Sequence, residues 1–152
     1  MTKYALKKFS EREDIALYGP SKWNKGEDRV GAISFNIDGF YHATAAAILS
    51  YEGAIAVRNG CFCAHPYIQR LLRLSDRDSK VYRDEINRKI RSRVPGMIRI
   101  SFGLYNTRSE IDRFFDMIDN IVAGTYKGRY SVGKRSGEAF PRNFRFPSIP
   151  GL

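Results

Sequence analysis

Three features of this sequence predict an α+β fold, a largely antiparallel sheet with helices on one face. Its segments run helix, strand, strand, helix, strand, helix, strand, helix, an order that suits strands paired back and forth beneath a helical layer. The last helix spaces Ile111, Phe114, Phe115, Ile118 and Val122 to cover one face, as packing on a core requires. With 152 residues, 43% of them hydrophobic and 13% aromatic, the chain can bury one core of ordinary size, and no internal repeat divides it.

The elements follow in order. Residues 2–13 are helix-compatible, and the apolar run Ile15, Ala16, Leu17, Tyr18, stopped by Gly19-Pro20, is the first strand. A polar loop over 21–28 leads to the β-rich segment 30–37 (VGAISFNI), which ends at the turn dipeptide Asp38-Gly39. Alanines with Ile48 and Leu49 favour a helix over 42–51, ended by Gly53 in the manner of a glycine at C′. Residues 54–57 make a short third strand, and Pro66 opens a helix over 67–74. Residues 75–93 carry seven basic and four acidic side chains around a thin apolar line of Tyr82, Ile86 and Ile90, which predicts a thinly anchored surface helix. Pro95-Gly96 breaks it. Residues 97–103 (MIRISFG) are the fourth strand, and Thr107-x-x-Glu110 has the spacing of a capping box before the last helix.

The formal net charge of +10 suits a phosphate-rich or acidic partner without naming one. Much of the excess lies in residues 125–152, where Lys127, Arg129, Lys134, Arg135, Arg142 and Arg145 face only Glu138, a balance of +5. That basic, Gly/Pro-rich tail reads as an extended arm outside a domain of residues 1–124. No apolar run of about 18 residues occurs and the N-terminus has no apolar h-region, so a cytoplasmic protein without a membrane partner is expected. Cys61 and Cys63, with one residue between them, cannot form the long-range cross-links of secreted domains, and reduced thiols are the default.

Taken on its residue type alone, Cys63 is a small thiol without chemistry. Arg99 is harder to explain away. It stands inside the apolar strand Met97-Ile98-Arg99-Ile100, where an unpaired guanidinium is costly, so a waiting anionic ligand is the better account. His42 and His65 read as cap or surface residues. Cys61, Cys63 and His65 fall short of the four ligands of a structural zinc, and no metal is expected.

Three blocks in this order carry a resemblance: residues 29–39 (RVGAISFNIDG), 55–66 (IAVRNGCFCAHP) and 98–112 (IRISFGLYNTRSEID). Together they resemble the C-terminal small domain of class V aminotransferases, most closely the cysteine desulfurase and selenocysteine lyase-like group, over roughly residues 14–124. The resemblance implies the small-domain fold of fold type I pyridoxal phosphate enzymes, and desulfuration or amino-group transfer on an amino acid substrate. By the same resemblance, Cys63 stands where that group keeps the cysteine that takes sulfur from substrate cysteine as a persulfide. Arg99 stands where the family binds the substrate α-carboxylate, a task suited to a planar fork of donors. Arg58 and Asn59 lie on the same approach to the active site, and Cys61 replaces what is often histidine. The connection from Cys63 to Arg99 is longer and more charged than in the compact desulfurases.

In that family the cofactor lysine, the aspartate facing the pyridine nitrogen and most of the phosphate cup belong to a large domain preceding these blocks, and nothing in this sequence resembles it. None of the lysines lies in an apolar context. No cofactor is therefore expected on this chain alone; pyridoxal phosphate belongs to the complete family enzyme. The expected partner is the large pyridoxal phosphate-binding domain, in cis or in trans, and a homodimer is left open. Two alternatives stand beside this reading. One is a basic α+β module for nucleic acid, disfavoured because MIRISFGLY lacks the aromatic and glycine order of an RRM core strand. The other is a stand-alone sulfur carrier holding a persulfide on Cys63.

Overall fold

The computed structural model describes residues 1–24 and 29–143. The end of the polar loop, 25–28, and the last part of the basic tail, 144–152, lie outside the described residues. Strand β1 (Ile15–Tyr18) pairs antiparallel with β2 (Ala32–Ile37), β2 pairs antiparallel with β4 (Met97–Ser101), and β4 with the edge strand β3 (Arg58–Gly60), in the order β1-β2-β4-β3. The alternation of β2 explains its two faces: Ile33, Phe35 and Ile37 are buried while Ala32, Ser34 and Asn36 are half-buried.

Helices α1 (Thr2–Ser10), α2 (His42–Gly53) and α5 (Arg108–Val122) share one core with the inward residues of β2 and β4. Phe9 of α1 is central to it, its ring centroid 5.1 Å from Phe35 and 4.9 Å from Phe115, in the tilted and edge-on arrangements aromatic quadrupoles prefer. Helix α5 begins at the expected capping box. Thr107 N donates to Glu110 Oε2 at 2.6 Å and Glu110 N to Thr107 Oγ1 at 3.4 Å, a cap worth about 1 kcal/mol. Helices α3 (His65–Leu71) and α4 (Asp76–Asn87) add nothing to this core, and α4 buries no residue, as its thin apolar line requires. The fold is α+β with an antiparallel four-stranded sheet.

Three local expectations are corrected. The third strand is not 54–57 but β3, Arg58–Gly60. Ile55 and Val57 pack against the core without ladder pairing, so their apolar character reports burial and not a strand. Gly53 is the last residue of α2, and it is Ala54 that turns left-handed, at φ 52°. A Cβ on Gly53 would lie 2.9 Å from Met117 Cγ, so close packing against α5 is what demands glycine there. The basic tail, expected as an extended arm, is the third.

Residues 125–143 do not stand off the core. They form a hairpin, β5 (Tyr130–Val132) against β6 (Ala139–Pro141), laid on α2. Ala139 is buried against Ala43 and Ala47, whose small side chains let the hairpin approach closely. The carboxylate of Glu52 accepts from Lys127 N and Gly128 N, each at 2.8 Å, and from the Tyr130 hydroxyl at 2.9 Å.

Candidate functional site

The antiparallel register decides which side each site residue takes. Arg58 faces Arg99 directly across β3 and β4, Ser34 flanks Arg99 on β2, and this face is opposite the one that carries Phe35 and Ile98 into the core. Two guanidiniums as direct cross-strand neighbours repel each other. Among the described residues neither has an ion-pair partner, and the Nε of half-buried Arg99 is buried with no hydrogen bond at all. Its guanidinium carbon lies over the Phe62 ring, 5.0 Å from the centroid, a cation–π contact.

Phe62 comes from a tight turn that follows β3. Ala64 N donates to Cys61 O at 2.8 Å, and the two central residues, Phe62 and Cys63, both have left-handed backbones, φ 49° and 60°. That conformation costs about 1–2 kcal/mol for each residue with a Cβ, so the surroundings must hold it. They do so through the contact of Arg99 with the Phe62 ring and through Cys61, whose Sγ donates to Pro95 O at 3.2 Å. The 95–96 segment can lie this close because residue 96 is glycine: a Cβ there would meet Gly60 Cα at 2.7 Å and His42 Nε2 at 2.8 Å.

The turn opens into a cavity of about 430 Å³. Its wall combines Arg58, Cys61 and Cys63 with His65, Arg91 and Glu138, the last contributed by the hairpin. Cys63 is exposed and Cys61 half-buried, and burial pushes the Cys61 thiol up from its ordinary value. Arg99 does not line this cavity. Phe62, which does, carries it on its ring.

Asn59, one residue on from Arg58, takes the other side of the sheet. There its Oδ1 lies 3.0 Å from His42 Nδ1, while His42 Nε2 lies 3.0 Å from Val94 O. His42 is thus no surface residue: it is 7% exposed and ties the start of α2 to β3 and to the segment before β4. Burial lowers its pKa, against the opposing pull of Val94 and Asn59, which keeps the ring neutral. A neutral ring donates from one nitrogen only, so which of the two contacts it donates to depends on its tautomer. Asn59 therefore helps position β3 through His42, and it also lines the cavity beside Arg58. Nothing in the sequence marked this histidine, because its partners lie 17 and 52 residues away. The same is true of Phe62 as a platform and of Glu138 as cavity wall.

The described lysines do not fit a covalent pyridoxal phosphate site. All but Lys8 are exposed, whereas a Schiff-base lysine is desolvated and loses its proton readily. Lys8 is held as a cation: Asp112 lies 2.5 Å from its Nζ, raising its pKa, and the rings of Tyr4 and Phe115 lie beneath it. No cluster of three metal-ligating side chains occurs among the described residues.

Comparison with known proteins places this geometry in context. The family model described as Aminotransferase class-V matches residues 1–114. A cysteine desulfurase of Haloferax volcanii is 31% identical over 119 residues, covering 78% of this chain and 22% of the relative. A probable cysteine desulfurase of Pseudomonas aeruginosa is 36% identical over 94 residues, covering 62% and 18%. Molybdenum cofactor sulfurase 2 of Aedes aegypti is 29% identical over 120 residues, covering 72% and 16%. The crystal structure of the cysteine desulfurase CsdA from Escherichia coli superposes with a TM-score of 0.53 at 21% identity, over 78% of this chain and 23% of that one, a likeness of fold. The chain thus spans about a fifth of the length of the curated relatives it matches.

Proposed function

Because the chain belongs to the class V aminotransferase family, we propose that it works as the C-terminal small domain of a pyridoxal phosphate-dependent, cysteine desulfurase-like enzyme, inactive without the large domain. The observation that supports this most is the unpartnered Arg99 Nε beside Arg58. A pair of like charges with no acid between them is a site short of an anion, and a planar carboxylate can take parallel hydrogen bonds from such forks. In this reading Arg99, helped by Arg58, grips the α-carboxylate of the amino acid substrate. The thiol of Cys63, held outward on its strained turn, receives sulfur from substrate cysteine as a persulfide.

The lysine environments argue that the cofactor is held by the large domain, in cis or in trans. Residues 1–124 are the family unit in this reading, with 125–152 an added segment. No helix among the described residues is long and apolar enough to cross a membrane. A cytoplasmic homodimer of the complete enzyme belongs to the same proposal.

Supplying the large domain tests it. The chain, fused to or mixed with a class V large domain that carries the cofactor lysine, should accumulate a persulfide on Cys63 when given L-cysteine, and Cys63→Ser should not. A complex that assembles and holds cofactor while Cys63 stays unmodified would overturn the reading.

A further inference from the structure

Two thiols share the cavity, and the function proposed above uses only one of them. We infer that Cys61 is the resolving thiol for Cys63: it attacks the persulfide carried there, closes a Cys61–Cys63 disulfide and discharges the outer sulfur as hydrosulfide. This rests on the reading of Cys63 as the sulfur-accepting residue.

Geometry makes the pair competent. Two Cα–Cα steps of about 3.8 Å, bent by the Cys61-to-Ala64 turn, leave the two Cα atoms less than about 7 Å apart, near the span of about 4.4–6.8 Å that disulfides bridge. Both residues line the same cavity, and Cys61 has only its contact with Pro95 O to release. Their environments also divide the roles. The exposed thiol of Cys63 is the one that incoming sulfur meets first, whereas Cys61 is withdrawn and tethered to Pro95 O, in reserve until a persulfide forms beside it.

The step balances within the pair. A Cys61 Sγ–Cys63 Sγ bond forms and the bond from Cys63 Sγ to the outer sulfur breaks, that sulfur leaving with the electron pair as HS⁻. The proton of the Cys61 thiol goes to solvent. The outer sulfur is reduced to sulfide and the two cysteines are oxidised to a disulfide, so no outside oxidant is needed. Returning the pair to thiols takes a dithiol reductant by exchange. Sulfur not collected from Cys63 is therefore released, and the site stays closed to further sulfur until it is reduced.

The test uses the whole chain, reduced, freed of reductant under argon, treated with inorganic polysulfide and quenched with iodoacetamide. Peptide mass spectrometry reads the state of residues 61–63 while released sulfide is trapped. The unaltered chain should yield the Cys61–Cys63 disulfide together with sulfide. Cys61→Ser, whose hydroxyl can still donate to Pro95 O, should retain an alkylated persulfide on Cys63 that lives about tenfold longer or more. Cys61→Ala should behave like Cys61→Ser, and circular dichroism of each variant establishes that it folds. A persulfide that survives as long in the unaltered chain as in Cys61→Ser, or that moves intact onto Cys61, overturns this inference alone. Failure of Cys61→Ser to take any persulfide on Cys63 overturns both the inference and the sulfur-accepting role of Cys63.

Discussion

Glu52 fastens the hairpin to α2, and its replacement is the sharpest test of how that hairpin is held. Glu52→Ala removes three hydrogen bonds to a carboxylate, from Lys127 N, Gly128 N and the Tyr130 hydroxyl. A bond to a charged acceptor contributes roughly 1.5–3 kcal/mol when desolvated, but this carboxylate is only half-buried and the freed amides can turn to water. Alanine also favours the helix slightly. A net loss of about 2–3 kcal/mol follows, and at about 2–4 °C per kcal/mol for a chain of this size Tm should fall by roughly 5–10 °C. Glu52→Gln, which keeps one acceptor oxygen, should lose about half as much.

The pH dependence provides a second check on Glu52. Partial burial alone would raise its pKa, but the two amides and the tyrosine hydroxyl together outweigh it and hold the carboxyl below its usual 4.5. A group depressed in the folded state contributes stability that is present above the unfolded value and is lost as pH falls through the folded one. The gap in Tm between the native chain and Glu52→Ala should therefore shrink in acid below pH 4.5. Thermal melts followed by circular dichroism measure the gap, and amide exchange at 127–132 locates it. An alanine variant that melts within about 1 °C of the native chain at neutral pH would refute the reasoning.

Other outcomes are expected. With the large domain supplied, Arg99→Lys should weaken amino acid binding by about 1–3 kcal/mol while cofactor absorbance persists; unchanged affinity would remove Arg99 from the site. Iodoacetamide at neutral pH should label exposed Cys63 well before Cys61, whose thiol burial pushes up, and the reverse order would contradict the geometry of the turn. For His42 the folded pKa lies below the unfolded value of 6.5, so the unfolded chain binds the extra proton, and stability should decline as pH drops below 6.5 and then level off. His42→Gln should abolish that decline, and a slope unchanged by the substitution would show that another group causes it.

What the sequence revealed was what is encoded locally. The alternation of β2, the capping box at Thr107 and Glu110, and most of the stripe Ile111, Phe114, Phe115, Ile118 and Val122 were legible as pattern, although Val122 is exposed and Ile121 is buried in its place. The run 54–57 misled because apolar character is common to a strand and to a buried connection, and only the partner strand tells them apart. The hairpin escaped notice for a related reason. Gly128, Gly133 and Gly137 suggest looseness, yet the order of that segment comes from Glu52 and the alanines of α2, some 76 residues away in the case of Gly128. In the site, the oddity of a guanidinium in an apolar strand pointed to Arg99, whereas the facing of Arg58 and the pairing of Asn59 with His42 depend on partners that one strand cannot disclose.

The wall that Glu138 gives to the thiol cavity has a consequence for the cavity's shape. Ser136, Gly137 and Glu138 belong both to the hairpin's turn and to the cavity's border, and they lie beyond residue 114, where the family match ends. The turn is clasped on one side by Arg91 N to Lys134 O at 2.7 Å, and the strands are clasped on the other by Glu52. A segment that carries no thiol itself thus shapes the wall beside Cys61 and Cys63. Two chains with identical cysteine turns and different hairpins would differ in that wall, so substitutions far from sulfur become a means of reshaping it.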